Sequence, residues 1–274
     1  MESLGDAALK ELAQQWLGQG IPGIMVEVAA LRGSAPREVG ARMLVSSRDC
    51  AGSVGGGHLE WQALQTARAA LGGEALPEEV RFALGPRLGQ CCGGEVRLRF
   101  SVLSAQTIAT WPEQPAQFAL QLHGAGHVGQ AVIHLLAQLP CRVQWVDERD
   151  DAFPQTALPQ HMERIATESA VAEVARAAPN SFFLVMTHRH DLDLELCEAI
   201  LRRADFGFFG LIGSKTKRER FRLRLAQKGF SAQQIDQMHC PIGLAGIVGK
   251  QPAVIAVAVV AQLLKQVGSL GQRR

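Results

Sequence analysis

From Phe118 onward the chain alternates between short apolar runs and segments of helical spacing, and the first run, QFALQLH, ends directly in Gly124-Ala125-Gly126-His127-Val128-Gly129. Strands are expected at Phe118 to Leu122, Arg142 to Val146, Arg164 to Ala166, Phe182 to Met186 and Phe206 to Ile212. Helices are expected at about Val128 to Gln138, Ala170 to Arg176 and Leu192 to Arg203. Alternation of this kind, with apolar strands, predicts a doubly wound parallel sheet covered by helices on both faces. Each glycine of the loop has a task if it binds a dinucleotide. Gly124 turns tightly, Gly126 lets phosphate approach the backbone, and Gly129 lets helix and strand pack closely. The helix that follows offers free N–H groups and a positive dipole end, with His127 in the loop beside them. Asp147 closes the next strand 18 residues past Gly129, where an acid suits a ribose 2′-hydroxyl, while Arg149 tolerates a 2′-phosphate. The same turn also serves folding alone, so a Rossmann-like domain that binds something else stays open.

The half before it has another character. Leu4, Ala8, Leu12 and Trp16 recur at helical spacing, Ile24 to Leu31, Arg42 to Ser46, Val80 to Leu84 and Glu95 to Leu103 read as strands, and a helix is expected from about His58 to Leu71. This is a mixed α+β unit. SAQTIATWPEQPAQ, with Pro112 and Pro115, separates the halves. The expected division is therefore an α+β domain over residues 1–105, a linker at 106–117 and a Rossmann-like domain over 118–274. An apolar helix, Val254 to Leu264, is expected in a core or a subunit interface.

Three further segments carry candidate chemistry. Gly55-Gly56-Gly57-His58, between a short strand and a helix, makes a backbone nest suited to an oxyanion, or a tight connection with His58 as an incidental cap. Cys91 and Cys92, inside GQCCGGEV, offer a thiolate beside bare glycine backbone for a soft metal or for sulfur, or are buried thiols beside a turn. His188 and His190 follow the strand FFLVM at the carboxyl edge of the sheet, as acid, base or phosphate donor, or as exposed residues of a turn capped by Asp191. The basic run from Lys215 to Arg220 reads as a helix start with a solvated face or a binding role.

Composition limits the partners. Lys+Arg 28 against Asp+Glu 26 leaves +2 without a block of one sign, which gives little drive toward nucleic acid or an anionic membrane. The longest apolar run, Ala253 to Ala261, stops at Gln262, so no membrane span is expected. MESLGDAALKEL carries acids where a signal peptide carries bases, and a cytoplasmic chain is expected. The six cysteines lack CxxC spacing, which excludes a zinc ribbon and points to buried thiols for most of them.

GSAPREVGARMLV, GSVGGGHLEW, GQCCGGEV, GAGHVG, VMTHRHDLD, FGLIGSKTKR and CPIGL with GKQPAVIAVAVVAQLL, in this order from Gly33 to Leu264, closely resemble the XdhC family of xanthine dehydrogenase accessory proteins. The resemblance implies an XdhC/CoxI-like amino-terminal domain, a Rossmann-like carboxy-terminal domain, and a chaperone without catalytic residues of its own. Its cargo would be the molybdenum cofactor, a molybdopterin, which such proteins hold while a cysteine desulfurase supplies sulfur and then deliver to the apo-dehydrogenase of purine catabolism. A homodimer is expected. Related branches often carry Cys where this chain has His58, which makes Cys91 and Cys92 the expected contacts to molybdenum or sulfur. The alternative is an NAD(P)-dependent oxidoreductase acting on a small molecule, resting on GAGHVG and Asp147, with His188 or His190 as the proton carrier.

Overall fold

The structure, a computed structural model, describes residues 5–84, 94–112 and 115–271. It falls into two compact units, Met1–Gln114 and Pro115–Arg274.

The first unit is built on a five-stranded antiparallel sheet, ordered β3-β2-β1-β5-β4 from β1 (Gly23–Arg32), β2 (Arg42–Ser46), β3 (Cys50–Gly52), β4 (Glu79–Ala83) and β5 (Glu95–Val102). Successive side chains of β1 point to opposite faces, and the two faces are covered by different helices. Ile24, Val26 and Val28 share a core with Leu59, Ala63 and Ala67 of α2 (Gly57–Leu71). Met25 joins Leu9, Ala13 and Trp16 of α1 (Asp6–Gly18) on the other face. The stretch expected as a linker is ordered at its start. Ser104 forms a capping box with Thr107 that opens α3 (Ala105–Ala109), and Trp111 is buried against α1 with its indole N–H on Asp6 at 3.0 Å. Polar composition there reflects a short capped helix, which a composition signal for a loop does not distinguish.

The second unit holds six parallel strands: β6 (Ala119–His123), β7 (Arg142–Asp147), β8 (Met162–Ala166), β9 (Phe182–Val185), β10 (Phe208–Leu211) and β11 (Met238–His239). Their order is β11-β10-β9-β6-β7-β8. Counted from β6 this is 3-2-1-4-5-6, the order of dinucleotide-binding sheets, and it reverses direction between β6 and β9. Leu120, Leu122, Trp145 and Leu184 face α4 (His127–Leu136) and α9 (Pro252–Gly271). Val146, Phe183, Val185 and Phe209 face α5 (Ala170–Arg176), α6 (His190–Arg203) and α7 (Lys215–Gln227). The expected doubly wound α/β sheet behind an α+β unit is the fold observed. The chain also forms α8 (Ala232–Ile235), which with β3 and β11 is too short to leave a periodic signal.

The last helix differs from the expectation. It runs from Pro252 to Gly271 rather than from Val254 to Leu264, and the Gln262 amide oxygen within it accepts from the Gly243 N–H at 2.7 Å. By length and composition alone Pro252–Ser269 is apolar enough to cross a bilayer, although Ala256, Val259, Val260 and Leu263 are buried in the core beside α4.

Candidate functional site

The carboxyl ends of β6, β7 and β9 bring Gly124, Gly126, His127, Gly129, Asp147, His188 and His190 to one edge of the sheet, at its switch point. The three loop glycines differ in what they must do. Gly124 sits at φ +123, and a Cβ there would lie 2.3 Å from the Met186 carbonyl oxygen. A Cβ on Gly129 would lie 2.1 Å from the carbonyl oxygen of Gly124. Both are required by the fold. Gly126 has φ −71 and ψ 179 and open space where a Cβ would stand. As the residue before α4 it supplies no side-chain cap, which leaves the first N–H groups of that helix facing outward.

The loop is held from β7. Asp147 is buried and accepts from the Ala125 N–H at 2.7 Å, from the Arg149 N–H at 2.9 Å, and from the Arg149 guanidinium through Nε and Nη2 at 3.0 Å each. Burial pushes its carboxyl pKa up, but these bonds together hold it below the ordinary carboxylate value. Two residues earlier, the Trp145 indole N–H donates to the Gly124 carbonyl at 3.0 Å. The acid expected at a ribose is thus engaged on both oxygens by protein donors.

The loop after β9 has a matching anchor. Asp193 is fully buried; one oxygen accepts from the Thr187 N–H and hydroxyl at 3.1 and 2.8 Å, and the other from Lys217 Nζ at 2.6 Å. Lys217 also reaches the Ile212 carbonyl at 2.8 Å. His127, His188 and His190 are exposed around this edge. Arg189 links the loops after β7 and β9 through Glu148 at 4.0 Å.

A shallow pocket at the edge is lined by residues that include His123, Asp147, Thr187 and His188. His123 did not emerge from the sequence. It is fully buried, its Nε2 bonded to Gln121 Oε1 at 2.9 Å, and burial lowers its pKa to about 3 against the smaller opposing pull of Asp147. The signal available was the pair Gln121 and His123, polar at i and i+2 on a strand expected to be apolar on both faces.

In the first unit, the Gly55-Gly56-Gly57 turn has φ values of +140, +71 and +58, all in the region that favours glycine. Its anion is internal. Buried Glu60 accepts from the Ser53 hydroxyl at 2.5 Å, the Val54 N–H at 3.2 Å and the Gly56 N–H at 3.1 Å. An external oxyanion therefore finds those two N–H groups taken, with the first turn of α2 beyond them. His58 is exposed and stacks on half-exposed Trp61, ring centroids 5.4 Å apart. Cys91 and Cys92 lie outside the described residues. Cys141, Cys197 and Cys240 are buried, and burial pushes the Cys141 thiol up to about 12 and raises the other two. Among the described residues no group of three His, Cys, Asp or Glu is arranged to hold a metal ion.

Comparison with known proteins covers both units. Residues 120–263 match the family described as XdhC Rossmann domain, and residues 16–82 match the XdhC and CoxI family. The chain is 25% identical over 253 residues to an uncharacterized protein, YqeB, of Escherichia coli strain K12, covering 90% of this chain but only 44% of that protein's length. A solved structure described as a xanthine dehydrogenase from Bacillus halodurans superposes with a TM-score of 0.72 at 20% identity, over 97% of this chain and 96% of that one. That likeness establishes the fold.

Two outcomes follow from the geometry. Gly124→Ala and Gly129→Ala should each destabilise the second unit by roughly 2–4 kcal/mol, through strain and overlap with backbone oxygens, whereas Gly126→Ala should fall within about 0.5 kcal/mol of the parent in urea unfolding. The His123 ring, with a folded pKa of about 3 against 6.5, refuses a proton that the unfolded chain accepts. Its contribution is complete above pH 6.5 and is lost toward pH 3, at about 1.4 kcal/mol per pH unit. Urea midpoints should drop between about pH 6 and pH 4, and a His123→Phe chain should show a shallower drop in that window.

Proposed function

The chain belongs to the XdhC family, and from that premise we propose that it is a maturation factor for xanthine dehydrogenase, binding the molybdenum cofactor, supporting its sulfuration and delivering it to the apo-enzyme. The observation that carries this reading is that family matches span both units in order, from residue 16 to residue 263. The fold supports it with an anion-ready feature, the uncapped start of α4 behind open Gly126. A phosphate there is met by backbone N–H groups on a loop already held by Asp147 and Trp145. Gly124, Gly126, His127, Gly129, His188 and His190 form the proposed site on the second unit. Gly57, His58 and the start of α2 form a second surface, reduced by Glu60 to the outer N–H groups. The proposed partners are the apo-dehydrogenase and a cysteine desulfurase, in the cytoplasm, with the chain acting as a homodimer in purine catabolism.

What the cofactor would supply is a molybdenum centre that takes a terminal sulfur. The chain's own residues would hold its phosphate and shield the bound ligand, and Cys91 and Cys92 are the proposed soft contacts. Cys141, Cys197 and Cys240 are poor alternatives, because burial keeps their thiols protonated.

A second reading, an NAD(P)-dependent oxidoreductase, is favoured by the strand order and the open Gly126. It is weakened by the engagement of Asp147, which leaves no free carboxylate oxygen for a ribose diol.

A strain lacking this protein should make xanthine dehydrogenase with its flavin and iron–sulfur centres in place and its molybdenum site empty or unsulfurated, measured by metal content and cyanolysable sulfur. Full dehydrogenase activity in that strain, with no substitute chaperone present, contradicts the proposal. Cys91→Ala and Cys92→Ala should retain the fold and lose molybdenum cofactor after gel filtration; equal cofactor content in both variants and the parent removes the thiols from the site. Under the second reading, NADH or NADPH oxidation with small carbonyl substrates appears in the purified protein and disappears in Gly126→Val.

A further inference from the structure

Helix α7 carries charge that its own stability does not call for. Residues 200–236 hold nine Lys and Arg against three Asp and Glu, so this stretch carries +6 while the rest of the chain carries −4. Most of the excess lies on α7, where six bases stand against one acid, Glu219. Two placements work against the helix itself. No acid occupies its first turn, and Lys215, Lys217 and Arg218 stand where the positive end of the dipole repels cations. Arg218 and Arg222, and then Arg220 and Arg224, are like charges four residues apart, which also disfavours a helix. Local choices that oppose local structure are expected at functional surfaces.

Part of this charge is engaged inside the unit. Lys217 is held by Asp193 at 2.6 Å, Arg218 reaches Asp236 at 3.8 Å, and Arg222 reaches Glu219 at 3.0 Å. Lys215, Arg220 and Arg224 have no carboxylate partner among the described residues. The helix buries only Phe221 and Leu225, and every other residue of it except Lys217 is exposed. Leu223 is 57% exposed, lies on the face opposite Phe221, and is flanked in sequence by Arg222 and Arg224. An apolar centre with an arginine rim suits a protein interface, where guanidinium forks meet carboxylates through paired hydrogen bonds. Glu219 within the face disfavours a phosphate polyanion, and one leucine is too little apolar surface to enter a bilayer. A second copy seated face to face would bring the same cations together. The first turn of α7 follows β10 at the carboxyl edge of the sheet, and Lys217 ties it through Asp193 to the loop after β9. A partner seated there stands beside the proposed ligand site.

We propose that the exposed face of α7, with Arg220, Leu223 and Arg224 at its centre, docks an acidic surface of the protein that receives the cargo. The inference rests on the proposed maturation role and adds where the recipient binds.

Association of the parent chain with purified apo-dehydrogenase, followed by biolayer interferometry, should weaken about tenfold between roughly 50 and 300 mM salt. Arg220→Glu combined with Arg224→Glu should weaken it about tenfold or more at low salt, chiefly through a slower association rate. Arg220→Gln combined with Arg224→Gln should weaken it less, and decides the matter if the Glu pair fails to fold. Reversal of an exposed base on β4 of the first unit, Arg81→Glu, should leave binding unchanged. Parent-like binding by both double variants, or an equal loss with Arg81→Glu, overturns the inference and leaves the maturation role standing. So does a double variant that keeps the apo-dehydrogenase but loses phosphatidylserine vesicles, duplex DNA or self-association. Absence of binding by the parent also overturns the inference, and dehydrogenase activity in the deletion strain then decides the maturation role separately.

Discussion

The second unit is organised around one carboxylate. Asp147 ends β7 and reaches across to the first turn after β6, where it accepts from Ala125, and its negative charge is met by the Arg149 guanidinium. Bonds of this kind are short and charge-assisted, and a buried carboxylate left without them would be costly. Trp145, on the same face of β7, fixes the other side of the peptide group through the Gly124 carbonyl. A loop held at its N–H and its C=O by adjacent strand residues keeps one shape. The direction in which α4 leaves the sheet, and therefore where its free N–H groups point, follows from that shape.

The same device recurs at two further turns. Glu60 gathers Ser53, Val54 and Gly56; Asp193 gathers Thr187 and Lys217; Asp147 gathers Ala125 and Arg149. Each is buried, each takes at least one backbone N–H that an external anion would need, and two of the three carry a cation as well. The internal acids make the turns rigid and also subtract from their capacity for external anions. What remains is the start of α4, where the preceding Gly126 supplies no side-chain cap. Lys217 shows how charge can mislead in this setting: it belongs to a basic run, yet its ammonium is spent on Asp193 and the Ile212 carbonyl inside the unit.

Much of this was readable from residue types because backbone geometry selects them. Gly124 and Gly129 are demanded by a positive φ or a close carbonyl, and such demands leave a spacing in the sequence. The doubly wound parallel sheet followed from strict alternation, and the position of Asp147 from its place at a strand end. Its partners were not readable, since Arg149 folds back two residues and Ala125 lies across the sheet. The bond from the Gly243 N–H to Gln262 was equally unreadable, since the two lie 19 residues apart. Glu60 sat in plain view within GGGHLE, but a carboxylate in a nest and a carboxylate on a helix surface have the same sequence. Gln121 and His123 had the clearest unread signal, two polar residues on the inward face of a central parallel strand.

Under the proposed maturation role, rigidity of this kind bears on how a cargo would be held and then given up. A phosphate bound by backbone N–H groups at a helix start meets partial charges rather than the full charges of lysine or arginine, so its attraction depends less on a counterion exchange and more on geometry. Because the loop is already ordered by Asp147 and Trp145, little conformational entropy is lost on binding, and little is regained on release. The affinity of such a cradle is then set by the number of N–H groups reached and by whatever the far end of the ligand contacts. For a carrier this places control at the ligand's other end, where a partner protein can compete for the same ring or metal without having to unfold the loop.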